Sequence, residues 1–290
     1  THTGNRLPLF LFLTAARLWR LQRQHPTPRW HGPIPALDAG PSFKSSADSL
    51  QPDPPFFFST ESDVQRLYIK DAQGNPLVDK KQLEKILLLN YVCNLNAEYQ
   101  QGFHEMLLLF RLLVEKEHEI YWLFQFFLQK TENSCIINVG VQKNLVILKA
   151  LIAFMDPIFA KHLGQVVSSL FPWFCLFFQR VFKSFEDVWR MWEVFLTGHP
   201  CKNFQVIIAY TMLQMVRDQI LREDLEEEEI LMLCHSIVDL DADDLITRAC
   251  NIYELFLKHE DKVKNSTIVP CSRDLEGMIL MISHARRVNL

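Results

Sequence analysis

From Asp79 onward, apolar residues recur every three or four positions and almost never alternate, which commits this chain to helices more firmly than any other feature. Leu83, Ile86, Leu87 and Tyr91 form one stripe, while Leu107 to Leu113 is apolar nearly all round, as in a buried helix. Tyr121 to Leu128 carries Trp122, Phe124, Phe126 and Phe127 and predicts an aromatic-rich core helix. Val146 to Met155 halts at Asp156-Pro157, where one helix stops and another starts. Phe185 to Leu196 is closed by Gly198, with Pro200 beyond. Phe204 to Ile220 reads as a long amphipathic helix, and Glu226 to Glu229 as the acidic first turn of the next. With no alternating runs and no fixed-period repeat, the reading is all-α: an irregular, right-angle helix stack of at least ten helices.

The N-terminal part has a different character. Leu7 to Ala16 is apolar but too short to span a bilayer, which takes roughly 20 apolar residues. Its arginines, Arg17, Arg20 and Arg23, follow the run, whereas a secretory signal carries its charge ahead of it. His25 to Pro55 gathers most of the prolines among Ser, Asp and Gly, a disordered or linker composition. The division expected is an atypical or disordered segment over 1–58, a helical domain over 59–262 and a helical tail over 263–290. The first residue is Thr rather than Met, so the expectation is either a fragment or an imperfectly predicted first exon.

Composition removes several function classes. A net charge of -4 gives no electrostatic footprint for nucleic acid. The 7 cysteines are scattered, odd in number and never spaced C-x-x-C, which suits reduced core thiols in a cytosolic protein. Asp239-x-Asp241-x-Asp243 begins like a calcium loop, but Asp244 stands where glycine is needed and Cys250 where glutamate is needed. Asp241 or Asp243 is better read as the cap of the following helix. No glycine-rich phosphate loop occurs, His104-Glu105 lacks a second histidine, and Cys234-His235 lacks a partner pair. No cofactor or metal of the chain's own is expected.

What remains is a short polar stretch between two helices, Tyr99-Gln100-Gln101-Gly102. A glutamine can hold a water with both donor and acceptor, and glycine lets a backbone come close to another group. Asp63-Val64-Gln65-Arg66 precedes it; Trp173-Phe174 and Arg190-Met191-Trp192-Glu193 follow. In this order, from about Asp63 to His259, the segments resemble the TBC domain, the helical module of GTPase-activating proteins for Rab GTPases. The chain's N-terminal helices would then be truncated or replaced, Arg17-Leu18-Trp19 being a poor echo of the family's segment there.

The resemblance implies chemistry performed on a partner. Hydrolysis of GTP on a small GTPase is slow because phosphate charge is uncompensated and the attacking water is poorly held. An arginine supplied in trans is typically worth about 10³ to 10⁵ in rate. Carried over by motif, Arg66 would be the arginine finger, with Asp63 holding its segment. Gln101 would orient the water, Gly102 would permit close backbone approach, and Tyr99 would pack the loop. GTP and Mg²⁺ would belong to the partner, a GTP-bound Rab, and the chain would have no independent catalytic activity. It would be cytoplasmic and reach vesicle membranes through that partner, without inserting. Trp192 and Phe195 are expected in the core.

Several positions depart from the family pattern. Thr60 replaces the usual Ile, Leu67 the Thr after the arginine, Phe103 and Glu105 the Met and Asp after Gln-Gly, and Glu193 the Asp after Trp. A non-catalytic TBC scaffold or effector is therefore the alternative reading. The presence of both Arg66 and Gln101 favours catalysis. An unrelated soluble helical enzyme ranks far behind, for want of any convergent polar constellation.

Overall fold

The structure is a computed structural model and describes residues 64–65, 67, 79–93, 102–131 and 139–264. Eleven α-helices run through them: α1 (Lys80–Cys93), α2 (Phe103–Leu113), α3 (Glu117–Lys130), α4 (Val139–Met155), α5 (Pro157–Leu163), α6 (Val166–Ser169), α7 (Phe171–Cys175), α8 (Phe185–Thr197), α9 (Phe204–Glu223), α10 (Glu227–His235) and α11 (Ala242–Lys264). A 3₁₀ turn, Gln179–Val181, links α7 to α8. Among the described residues there is no strand, only an isolated bridge between Phe182 and Leu240. The all-α expectation therefore holds.

Helix ends follow local chemistry. Asp156 caps α5 by accepting the Phe159 N–H at 3.1 Å, with Pro157 in the first turn, where its missing N–H costs nothing. Ser184 caps α8 by accepting the Asp187 N–H at 3.2 Å, and Gly198, left-handed at φ 70°, closes it. Glu229 reaches back to the Glu226 N–H at 3.0 Å to start α10. Asp241 accepts the Asp244 N–H at 3.0 Å and so caps α11, as read from the sequence.

The core is built on rings. Phe110 of α2 meets Phe124 and Phe127 of α3 and Trp189 and Trp192 of α8, with centroids 5.5–5.8 Å apart. Phe127 stacks on Trp192 at 4.4 Å. Such pairs add about 0.5–1.5 kcal/mol each beyond the area they bury. Leu83, Ile86 and Leu87 are buried as the α1 stripe requires, and the Tyr91 side chain lies outside the described residues.

Three expectations are corrected. Trp122 is 65% exposed, not core. Ile120, Leu123, Phe124, Phe127 and Leu128 share the buried face, and at 100° per residue Trp122 falls opposite it. The core position the sequence would not have chosen is Gln125, buried with its amide donating to Asn90. Second, α9 is amphipathic only in its C-terminal half. Val206 to Leu213 are buried without a break, because α9 runs between α4 and α11. Third, Phe195 is half-buried, resting at the core edge against Phe177 and Phe178. Trp192, by contrast, is fully buried as expected.

Candidate functional site

Of the residues singled out from the sequence, Asp63, Arg66, Tyr99 and Gln101 lie outside the described residues, and so does Thr60. Gly102 is described, as are three neighbours of Arg66. Val64 and Leu67 are buried, three positions apart, with the Leu67 N–H donating to the Val64 carbonyl at 3.1 Å. Between them Gln65 is exposed and tied to the start of α1. Lys80 Nζ donates to its carbonyl at 2.5 Å, and its amide donates to Glu84 Oε1 at 3.1 Å. Val64 and Leu67, an apolar i, i+3 pair, are thus both buried, and Gln65 between them is held to α1. Helix α1 in turn packs on α2, where Arg111 Nε donates to Gln82 Oε1 at 2.8 Å.

Gly102 stands at the N-cap of α2, directly after Gln101. Its φ of 102° belongs to a region that L side chains rarely adopt. Its carbonyl accepts from the N–H groups of Glu105 and Met106 at 3.0 and 3.1 Å, starting the helix. A Cβ built here would lie 2.3 Å from Leu176 Cδ2, well inside contact. The positive φ is therefore what requires glycine here, and the Leu176 methyl, the end of a flexible side chain, adds a softer limit. The close approach visible in the structure is internal, to the chain following α7.

One turn further, Glu105 makes the polar half of the same junction. Its carboxylate accepts from Arg180 Nη2 at 2.5 Å and Nε at 3.0 Å, a two-pronged pairing, and from Gln179 Nε2 at 3.1 Å. The N-terminus of α2 is thus fixed to the α7–α8 connection through Leu176, Gln179 and Arg180.

That connection is itself held in an unusual shape. Phe177 and Phe178 both have positive φ, 48° and 59°, a conformation that costs roughly 1–3 kcal/mol for each such residue. It persists because both rings are buried and the backbone is pinned. Trp192 Nε1 donates to the Phe177 carbonyl at 2.9 Å, and the Phe178 N–H donates to the Trp173 carbonyl at 2.8 Å. Trp173, Phe174 and Trp192 therefore serve this junction and the core. Arg190 donates to Asp243 Oδ1 of α11 at 2.8 Å.

Sequence reading missed Glu105, Gln179 and Arg180 as a unit. A carboxylate inside an otherwise apolar helix calls for a cation, and that demand was the available signal. Nothing local named Arg180, 75 residues away, as the answer.

The nucleophile and metal alternatives gain nothing. Burial pushes the Cys175 thiol up to about 12 against a smaller opposing pull from Arg180, and pushes Cys234 up to about 12. Both thiols are thus held un-ionised, unlike a reactive cysteine. Among the described residues no group of histidine, cysteine and carboxylate side chains could hold a metal. No described helix is long and apolar enough to cross a membrane.

The fold resembles that of the Ypt/Rab-GAP domain of Gyp1p with a TM-score of 0.58, covering 87% of this chain and 81% of that one. At 15% identity the likeness concerns the fold alone. The chain is 64% identical over 195 residues to human TBC1 domain family member 21, covering 66% of this chain and 58% of that protein. It is 30% identical to human TBC1 domain family member 17, over 58% of this chain and 26% of that one. To the GTPase-activating protein GYP7 of Yarrowia lipolytica it is 26% identical, over 61% of this chain and 25% of that one. The chain thus spans less than two thirds of the length of the curated relatives it matches. The model of the Rab-GTPase-TBC domain matches residues 38–221, well over half of the chain. With the fold and the Gly102 junction already in place, the chain belongs to the Rab-GTPase-TBC domain family.

Proposed function

We propose that this chain is a GTPase-activating protein for a Rab-family small GTPase in its GTP-bound state. In that reading Arg66 neutralises charge developing on the phosphate oxygens, and Gln101 positions the attacking water. Asp63 and Tyr99 steady the two segments, and Gly102 sets the loop that carries the glutamine. GTP and Mg²⁺ come with the partner, so the chain brings no cofactor and acts only on the partner's site. It works from the cytoplasm on vesicle traffic and meets membranes through the partner. A narrower likeness, to the male germ cell Rab GTPase-activating protein over about Asp63 to His259, belongs to the same proposal.

The observation that carries the reading is the build of the Gly102 junction within a member of this family. Gly102, buried and left-handed at the N-cap of α2, is bounded by Leu176 on one side and followed a turn later by the Glu105–Arg180 pair. Preorganisation of that kind is what water positioning needs.

The test is single-turnover GTP hydrolysis across a Rab panel. Arg66→Ala should remove most of the stimulation, about 10²-fold or more, while binding to the GTP-loaded partner falls less. Arg66→Lys should also be poor, since an ammonium lacks the planar fork. Gln101→Ala should lower the rate with little change in melting temperature. Full stimulation by both alanine variants would remove these residues from the mechanism. Binding without stimulation by the unaltered protein would favour the scaffold.

A further inference from the structure

Arg180 is the exposed member of the 3₁₀ turn Gln179–Val181, whose other two residues are buried. Its backbone is held on both sides. Before it stand Phe177 and Phe178, whose positive φ values persist under the bonds from Trp192 and to Trp173. After it, the Val181 carbonyl accepts from the Leu240 N–H at 2.9 Å, and the Lys183 N–H donates to the Leu240 carbonyl at 3.2 Å. Residues held in such a strained conformation cluster at active sites and clamps. The side chain presented by this one is the Arg180 guanidinium, two of whose nitrogens meet the Glu105 carboxylate.

From Glu105 the path to the glutamine segment is short. The Glu105 N–H donates to the Gly102 carbonyl at 3.0 Å, and Gly102 is joined to Gln101 by a peptide bond. Attaching α2 to the rest of the molecule does not call for this ion pair. Phe110 already meets Trp189 and Trp192 of α8, and apolar residues in place of a buried pair are often no less stable. What the fork adds is direction, because two parallel bonds set the distance and the rotation of the carboxylate together. A cavity of about 290 Å³ lies beside the pair, with Leu108, Gln179, Arg180 and His235 in its lining. Close-packed interiors have few voids larger than a water molecule, so on this side the polar pair sets a position that packing leaves open.

We propose that Arg180 is a positioning residue: through Glu105 and the Gly102 carbonyl it sets the backbone that carries Gln101. This rests on the GTPase-activating reading and adds a residue to it. In this role Arg180 touches neither the nucleotide nor the attacking water; it acts on how precisely the glutamine is aimed. A misplacement of about 1 Å, caused by a change away from the chemistry, can cost about 10²-fold in rate.

The experiment is single-turnover GTP hydrolysis on the Rab that responds best to the unaltered chain, with the full chain varied to saturation. Arg180→Ala should lower the saturating rate at least about tenfold, while the half-saturating concentration moves by less than about twofold. In a Gln101→Ala background the same change should alter the rate by less than about twofold, since no glutamine is left to aim. Arg180→Lys keeps the charge without the fork and should fall between the two. Asp156→Asn, which weakens the fold at α5, should leave the rate as it is, so that loss of stability is told apart from loss of aim. Should Arg180→Ala fail to fold, Arg180→Lys and Glu105→Gln carry the same comparisons. A low rate with Gln101→Ala but full stimulation by folded Arg180→Ala would overturn this proposal alone. So would a tenfold loss that persists in the Gln101→Ala background, or a loss confined to the half-saturating concentration. Full stimulation by Gln101→Ala, or none by the unaltered chain on any Rab, would overturn the underlying reading as well.

Discussion

Two arginine–carboxylate pairs link distant parts of this protein, one at the Gly102 junction and one between α8 and α11. Their arginines are almost equally exposed, 39% for Arg180 and 37% for Arg190. Their carboxylates are not: Glu105 is 15% exposed, whereas Asp243 is 74% exposed. The acid's burial makes the difference. Cutting the outer pair returns a carboxylate to water, and exposed pairs are worth about 0–1 kcal/mol. Cutting the inner pair leaves a carboxylate desolvated and half-paired. The junction beside the glutamine segment is thus over-determined, and the α8–α11 link is replaceable.

The largest effect expected at the junction comes from Gly102→Ala. Positive φ and a Cβ 2.3 Å from Leu176 should together destabilise by about 2–4 kcal/mol in urea unfolding. Adding Leu176→Ala should recover the steric part and leave the conformational part. Stability within the error of the unaltered protein would break the view of this glycine as a clamp. Next, Arg180→Ala should cost about 1–3 kcal/mol, because Glu105 loses its cation while still held from water. Glu105→Gln in that background should restore part of the loss by removing the stranded charge.

A third pair tests the same distinction through pH. The Asp156 carboxylate is 13% exposed and is paired with Arg217. Burial acts to raise its pKa, but the bonds from Arg217 and from the Phe159 N–H outweigh this and hold it below the usual carboxylate range. A depressed folded pKa stabilises above the unfolded value of about 3.9, and that contribution is lost as pH falls through the folded value. Asp156→Asn keeps the cap but not the charge, so it should cost about 1 kcal/mol near neutral pH. The gap in melting temperature should close below about pH 4; a gap that widens with acid would reverse the assignment. The smallest effect belongs to Arg190→Ala, at most about 1 kcal/mol and weaker still in high salt. A loss above about 2 kcal/mol there would erase the contrast between inner and outer pairs.

How much of this was legible beforehand depended on how far each determinant reaches along the chain. Asp156-Pro157, Ser184 and Gly198, Glu226 with Glu229, and Asp241 each act within a few residues, and each helix boundary could be read from them. Trp122 was misplaced because an aromatic-rich run was taken as wholly buried, although the helical period puts it opposite Phe124 and Phe127. The all-round burial of α9 was hidden for another reason. Its sequence cannot say that two helices, α4 and α11, cover it from both sides.

The sequence by itself determined that the chain is helical, where several of its helices are capped and, through the order of its motifs, which family it joins. Those properties rest on hydrogen bonds and side-chain periods spanning one to two helical turns. Only the tertiary structure decided that Gly102 is shaped by Leu176, that Glu105 is answered by Arg180, and that Gln179 and His235 line a common cavity. Leu176 and Arg180 lie 74 and 75 residues from Gly102 and Glu105, and Gln179 lies more than fifty from His235, brought together by burial of the aromatic core rather than by any local preference.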